Sequence, residues 1–280
     1  MRAIFQATWL LATAGVVTAG CAFPWTARVA LPSHYALVRD QLVIHSDFDL
    51  PANHRLLTEL TAVRNDLAQR LGVLVSDEPI HVYLFENPKE FRWFVRVYHP
   101  QFPDRRAFFL ETDTRLQIYA QWGDRVGEDL RHEVTHGYLH SSVPTVPLWL
   151  DEGMAEYYEV PRGGRGLNRS DLDYLLSAMD HRRWQPDLAR LEQLEPSREM
   201  TQQEYSEAWA WVHFLMETRL EYRMLLRQYL EDLRRLGSAE PLSARLRQLV
   251  PEPERALVAY LRSLAETVPR DPDCGQSRER

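Results

Sequence analysis

The chain has 280 residues, of which 45% are hydrophobic, so it is long and apolar enough to bury a substantial core in one or two compact domains. Its formal net charge of -7 argues against a protein that grips a phosphate backbone by charge, and no nucleic-acid partner is expected. The two cysteines, Cys21 and Cys274, exclude a four-cysteine zinc site and a CxxC redox pair. Any metal site must therefore use histidine and carboxylate ligands.

Residues 1–20 have the charge and length of a secretory signal, because no charged residue follows Arg2 until Arg28 and the run between them is mostly apolar. The segment ends in Thr-Ala-Gly before Cys21, which resembles a bacterial lipobox. The resemblance implies cleavage at this point, lipidation of Cys21, and a membrane anchor at the periplasmic face of the outer membrane, since Ala22 follows the cysteine. A transmembrane helix is the alternative, but this threonine-rich run is short for one.

Hydrophobic periodicity predicts a mixed first half of the mature chain. Residues 21–38 form a proline-containing lead-in, and residues 39–146 combine strands with helices. Strands are predicted at 41–48, 80–85, 107–110 and 115–121, and helices at 56–71 and 89–98. The last two strands are joined by a four-residue connection, which predicts a hairpin.

From residue 124 nearly every segment has a helical pattern. Helices are predicted at 124–141, 148–160, 171–179, 203–236 and 252–267. We therefore expect an α+β fold in which the mixed half packs on a helical half over residues 147–268, with a disordered tail at 269–280. The glycine-rich loop 161–166 is interpreted as a connector, and a substrate gate is the alternative.

The sequence HEVTH at residues 132–136 lies inside the helix predicted at 124–141. Two histidines four residues apart differ by about 40° in azimuth and about 6 Å in height, so His132 and His136 can meet one ion beside the helix. Glu133 can flank that ion and take a proton from a metal-bound water. His140 lies about 12 Å along the axis from His132 and cannot share the ion. A solvated helix face is the alternative interpretation.

A hydrolytic zinc site needs a third protein ligand. In the next predicted helix, Glu152 and Glu156 share a face with Trp149. Unpaired carboxylates would be costly there, and a cation would resolve the conflict. Asp151 points to another side and is expected to be exposed. The alternative is an ordinary acidic first turn, which the helix dipole favours.

The segments HEVTHGYLH and PLWLDEGMAEYYE together resemble the gluzincins of the peptidase MA clan and bacterial envelope proteins with peptidase-MA-like domains. The resemblance implies a zincin-like fold, a small mixed sheet with the active-site helix followed by a helical C-terminal half. It implies a zinc ion (Zn2+) held by His132, His136 and Glu152. It also implies Glu133 as the general base and Glu156 as a carboxylate that orients a ligand histidine.

The tetrahedral intermediate of peptide hydrolysis needs a hydrogen-bond donor besides the metal. Tyr205 lies 53 residues past Glu152, where the gluzincins carry a tyrosine or a histidine, and we predict it as this donor. His213, two turns further on the same predicted helix, is the other candidate. Core packing is the alternative for both. By the same resemblance, the strand segment 116–120 is predicted to offer its edge to an extended peptide.

These observations predict a zinc-dependent metallopeptidase of the cell envelope that hydrolyses peptide or protein substrates through a metal-activated water. The first alternative is a non-catalytic zincin-fold envelope lipoprotein that binds a partner. The second is a zinc hydrolase that acts on a non-peptide amide or on cell-wall stems, since the same residues serve that chemistry.

Overall fold

A computed structural model describes residues 30–102 and 105–267 of the chain. The predicted signal peptide, the predicted lipidation site Cys21 and the predicted tail lie outside the described residues. Within them the α+β prediction is confirmed, because the structure contains a five-stranded mixed sheet, ten α-helices and a helical C-terminal half. Among the described residues no helix combines the length and hydrophobicity needed to cross a bilayer.

The sheet is built from β1 (Tyr35–Arg39), β2 (Leu42–Ser46), β3 (Ile80–Phe85), β4 (Ala107–Thr112) and β5 (Arg115–Gln121). Its order is β1-β2-β3-β5-β4, with parallel pairing in the centre and an antiparallel pair at each end. Strand β5 therefore lies inside the sheet, and the prediction that segment 116–120 offers a free edge is wrong. The edge strand on that side is β4.

The prediction of a lead-in over residues 21–38 is wrong at its end, because strand β1 begins at Tyr35. Its five residues are exposed or half-buried and show no buried alternation, because the strand lies at the other edge of the sheet. The period-2 pattern that identifies a strand from sequence requires one buried face. Pairing with β2 stabilises β1 instead, and such pairing is not visible in the local sequence.

Two layers of helix cover the sheet. On β3, Ile80, Val82 and Leu84 join the main core, while Tyr83 and Phe85 join an aromatic cluster on the opposite face, as the alternation of a strand requires. Helix α2 (Pro88–Tyr98) packs on the aromatic face. Helices α1 (Arg55–Asp66) and α3 (Val126–His140) pack on the main-core face. Helix α3, which carries HEVTH, is therefore held against the sheet.

Helix α4 (Leu148–Glu159) lies between α3 and α7 (Gln202–Glu217). The approach to α7 depends on Gly153, because a Cβ atom at this position would lie 2.6 Å from the carbonyl oxygen of Ala208. Trp149 and Leu150 are completely buried in the same region. Packing on two sides thus determines where the carboxylates of α4 stand relative to α3.

The remaining helices are α5 (Arg169–Asp180), α6 (Leu188–Leu191), α8 (Leu220–Leu236), α9 (Leu242–Leu249) and α10 (Pro253–Thr267). The single helix predicted at 203–236 is wrong, because α7 ends at Glu217 and Arg219 is extended with φ −135° and ψ 146°. The Thr218 backbone N–H and its hydroxyl group both donate hydrogen bonds to the carbonyl of Phe214, which caps the end of α7. Neither glycine nor proline marks this break in the sequence.

The start of α7 is stabilised by a capping box between Thr201 and Glu204. The Glu204 carboxylate also accepts hydrogen bonds from Arg190 and Arg198, at 2.9 Å each for the closest pairs. Burial acts to raise the pKa of Glu204, but the Thr201 N–H and the two guanidinium groups outweigh burial and lower the pKa to about 2. The ionised carboxylate therefore stabilises the folded state.

We expect Glu204→Gln to lower the free energy of unfolding by about 2 kcal/mol at pH 7. The full effect of the pKa change would be larger, but the arginines are 40% and 42% exposed and water screens them. Because the folded-state pKa lies below the ordinary 4.5, this stabilisation is present above pH 4.5 and is lost as the pH falls toward 2. Urea titrations of both proteins should therefore converge at low pH. A difference that stays constant between pH 7 and pH 3 would contradict the assignment.

Candidate metal centre

Three side chains from α3 and α4 converge at one point. The Nε2 atoms of His132 and His136 lie 3.6 and 3.8 Å from the same oxygen, Oε2 of Glu152. The imidazole rings are 5.0 Å apart and inclined by 70°, so their donor atoms approach the carboxylate from different directions. The structure thus brings together the three residues predicted as metal ligands.

The separations between these donor atoms test whether an ion fits among them. Ligands that bind zinc tetrahedrally at 2.0–2.1 Å stand about 3.3 Å from one another. The observed distances are close to that value and too long for ordinary hydrogen bonds between the histidines and Glu152. Two imidazoles and one carboxylate form a suitable divalent-metal site, although this donor set also suits metals other than zinc.

Each candidate histidine ligand is contacted from behind by a carboxylate. Nδ1 of His132 lies 3.2 Å from Oε2 of Glu159, and Nδ1 of His136 lies 2.9 Å from Oδ1 of Asp151. The first contact is a hydrogen bond, whereas the second is an ion-pair contact without hydrogen-bond alignment. A carboxylate at Nδ1 leaves Nε2 free to face a metal. Neighbouring carboxylates also affect titration: burial acts to lower the pKa of His132, but Glu152 and Glu159 outweigh it and raise the pKa well above the ordinary value.

The expectation that Asp151 is exposed is wrong. Its side chain is 14% exposed and bridges two histidines, since Oδ2 lies 3.1 Å from Nε2 of His140. His140 in turn contacts Glu111 of β4 at 2.6 Å. Burial acts to raise the pKa of Asp151, but His136 and His140 lower it far below its usual range. The helical pattern predicts that the side of α4 with Asp151 is polar and exposed, but this side packs on α3.

The prediction that Glu156 orients a ligand histidine also needs correction. Glu156 accepts a hydrogen bond from Asn168 at 3.1 Å, whereas Glu159 makes the contact with His132. Burial and the charge of Glu159 raise the pKa of Glu156 well above its ordinary value. The order of these contacts is reversed between the two helices. His132, early in α3, contacts Glu159 at the end of α4, whereas His136 contacts Asp151 near the start of α4.

We expect Asp151→Ala to weaken zinc binding by about 10- to 100-fold, because His136 would lose the carboxylate that holds its ring. Competition against a chromophoric chelator measures the dissociation constant. Asp173→Ala, at an exposed position on α5, is the matched control and should bind zinc as the wild type does. An Asp151→Ala protein with unchanged affinity would show that the contact does not orient the ligand.

Glu133 is buried beside the three candidate ligands, with 7% of its surface exposed. Burial raises the pKa of its carboxyl group, and the charges of His132 and His136 partly oppose this effect. A carboxylate with a raised pKa is a better proton acceptor, as a general base requires. The burial and charge of Glu133 are compatible with a general base, and this role stays a prediction.

Tyr205 of α7 is half-buried near the candidate ligands Glu152 and His132. Burial together with the charge of Glu152 raises the pKa of Tyr205, and the nearby positive charge of Arg105 partly opposes this effect. Arg105 also lies within electrostatic reach of Glu133 and Glu152. No sequence signal identified Arg105, since it belongs to a loop and meets α7 only through the tertiary fold.

His213, the other candidate donor, lies in the core. Its ring packs against Tyr157, Trp209 and Tyr260, and its Nδ1 atom is 2.8 Å from the Tyr260 hydroxyl group. Burial lowers the pKa of His213 to about 4. These contacts agree with the core-packing alternative for this residue.

The edge strand β4 packs against one side of the candidate metal centre. The Phe109 ring stacks on His136 with centroids 5.9 Å apart, and it meets His140 edge-on at 5.3 Å. Together with the contact between Glu111 and His140, these interactions join β4 to the C-terminal part of α3. The outer edge of the sheet therefore runs beside the candidate metal centre.

Comparison with known proteins gives one family match. A family model described as "Protein of unknown function (DUF1570)" matches residues 129–236. A search of curated proteins found no match. The matched region contains His132, Glu133, His136, Glu152 and Tyr205. No peptidase family is identified, and the likeness to gluzincins rests on the motifs.

Proposed function

We propose that this protein is a zinc-dependent peptidase of the gluzincin type that acts on peptide or protein substrates in the cell envelope. The observation that carries the proposal is the convergence of His132, His136 and Glu152 beside the buried Glu133. The two carboxylates behind the histidines support it, because they hold both rings with Nε2 toward the shared point. The envelope location and the lipid anchor at Cys21 rest on the lipobox resemblance.

A zinc ion bound by the three ligands would activate a water molecule and polarise the carbonyl group of the substrate. Glu133 accepts a proton from the attacking water and returns it to the leaving amine. Its burial keeps bulk water away from this transfer and raises its pKa, which favours proton uptake. One carboxylate thus acts first as a base and then as an acid.

Tyr205 and Arg105 supply the donor that the oxyanion needs. The positive charge of Arg105 acts to lower the pKa of Tyr205, which favours donation of the hydroxyl proton to the substrate oxygen. The edge of β4 provides a place for an extended substrate, because its outer side has no paired strand among the described residues. A peptide that pairs with this edge would lie alongside Phe109 and the candidate metal centre.

The test is a digest of a mixed peptide library by the mature protein, followed by mass spectrometry. We expect cleavage that stops with a zinc chelator and returns when zinc is added. The retained and buried Glu133 favours catalysis over the alternative of a partner-binding module, since such a module has no use for a general base. Zinc-loaded protein that leaves every peptide intact would contradict the peptidase proposal.

A further inference from the structure

A cavity of about 440 Å3 lies beside α4 on the side formed by Tyr157 and Tyr158. It belongs neither to the three candidate ligands nor to Glu133. Five of its lining residues are arginines: Arg70, Arg131, Arg162, Arg165 and Arg223. Two acids, Asp66 and Glu217, also line it, and Glu59 pairs with Arg131 at 2.7 Å, which leaves a net charge of +2 in a chain whose net charge is -7. Such a concentration of positive charge is opposite in sign to the molecule as a whole.

The floor of the cavity is rigidly built. Arg70 donates hydrogen bonds to the Tyr157 hydroxyl group at 2.7 Å, to the Met216 carbonyl at 3.0 Å and to Glu217 at 2.7 Å. The Tyr157 hydroxyl donates in turn to Glu217 at 2.6 Å. Glu217 is thus already paired with Arg70 and Tyr157, and its other oxygen contacts only Arg165 among the rim arginines.

The rim carries guanidinium groups with unused donors. Arg162 is exposed, and its guanidinium group has no hydrogen-bond or ion-pair partner in the described part of the chain. Arg223 makes one long contact of 3.4 Å to the Met216 carbonyl. Arg165 contacts Glu217 at 3.1 Å, yet its side chain is 80% exposed. Guanidinium groups bind phosphate and carboxylate oxygens in pairs, so several guanidinium groups with unused donors at one rim suit an oxyanion ligand.

The loop that carries Arg162 and Arg165 is held in a defined conformation. Arg165 has φ 52°, in the left-handed region that a non-glycine residue rarely adopts. Gly166 follows with φ 71°, and a Cβ atom there would collide with the Tyr157 ring. The Gly166 carbonyl accepts a hydrogen bond of 2.8 Å from Trp209. Strained backbone of this kind concentrates at ligand sites, where the surrounding structure maintains it.

We propose that this cavity binds a small molecule that carries a multiply charged oxyanion, either phosphate or polycarboxylate. The volume is within the range of small-molecule sites. The fixed floor positions the ligand by shape, and the arginines of the rim bind its charged group. The site is separate from peptide hydrolysis, so its test does not depend on catalytic activity.

The test is isothermal titration calorimetry of the full mature protein with pyrophosphate and, separately, with citrate. We expect saturable binding of at least one anion with a Kd below about 1 mM. Binding of pyrophosphate alone identifies a phosphate ligand, and binding of citrate alone identifies a polycarboxylate. Added salt should weaken either interaction, because the rim is exposed.

The double variant Arg162→Gln/Arg165→Gln should raise the Kd about tenfold or more. Both side chains are exposed, so the fold should persist, and thermal melting without ligand checks this. Arg92→Gln is the matched control, since Arg92 is an exposed arginine on α2 and does not line the cavity. Absence of saturable binding by either anion would overturn the proposal. An unchanged Kd in a folded double variant would also overturn it.

Discussion

Glu133→Gln is expected to retain zinc and to lose hydrolysis, with kcat reduced by about 100- to 10,000-fold. The amide has nearly the same size as the carboxylate and lies outside the ligand set, so metal binding has no reason to fall. It cannot accept a proton from the attacking water, and the reaction loses its base. Loss of activity without loss of bound zinc distinguishes a general base from a metal ligand.

Zinc content by mass spectrometry and peptide cleavage should be measured on the same preparations. Glu128→Gln provides the matched control, because Glu128 lies in the first turn of α3 and is not among the candidate ligands. We expect wild-type activity from this control. A Glu133→Gln protein that cleaves at the wild-type rate would remove Glu133 from the mechanism.

His136→Ala is expected to lower the affinity for zinc by more than about 100-fold, which exceeds the effect of losing an orienting contact. One of three ligands disappears, and the remaining imidazole and carboxylate cannot complete a hydrolytic site. His34→Ala is the control, since its side chain is 76% exposed and distant in sequence from α3. Chelator competition measures all the dissociation constants on one scale.

A second variant, His140→Ala, tests which group of side chains binds the metal. The structure contains a second group of possible ligands, formed by His136, His140 and Asp151. If the metal occupies the centre with Glu152, His140→Ala should weaken zinc binding much less than His136→Ala does. Equal losses in the two variants would instead place the ion in the second group.

The elements that could be predicted from sequence are those whose evidence is local. Strands β3 and β5 were predicted with their observed ends, because each is a β-rich run with a clear boundary. The spacing of His132 and His136 is likewise a property of one helix. Strand β1 and the break after Glu217 were missed, since long-range pairing forms the first and a hydroxyl contact marks the second.

The candidate site shows the same division. The three candidate ligands were predicted from two motifs, and the structure brings them together. The role of Glu133 as a base stays a prediction. The contacts of Asp151 and Glu159 with the histidines were not predicted, because they depend on which side of α4 packs against α3. Arg105 is a stronger case, since a loop residue reaches Tyr205 only after the sheet and α7 have assembled. Tertiary packing, rather than local pattern, determines these partners.

The most direct test is a crystal structure of the zinc-loaded protein with anomalous data collected on both sides of the zinc absorption edge. The predicted result is an anomalous peak about 2 Å from Nε2 of His132, Nε2 of His136 and a carboxylate oxygen of Glu152. A peak beside His140 and Asp151, with the Glu152 side chain turned away, would contradict the central claim.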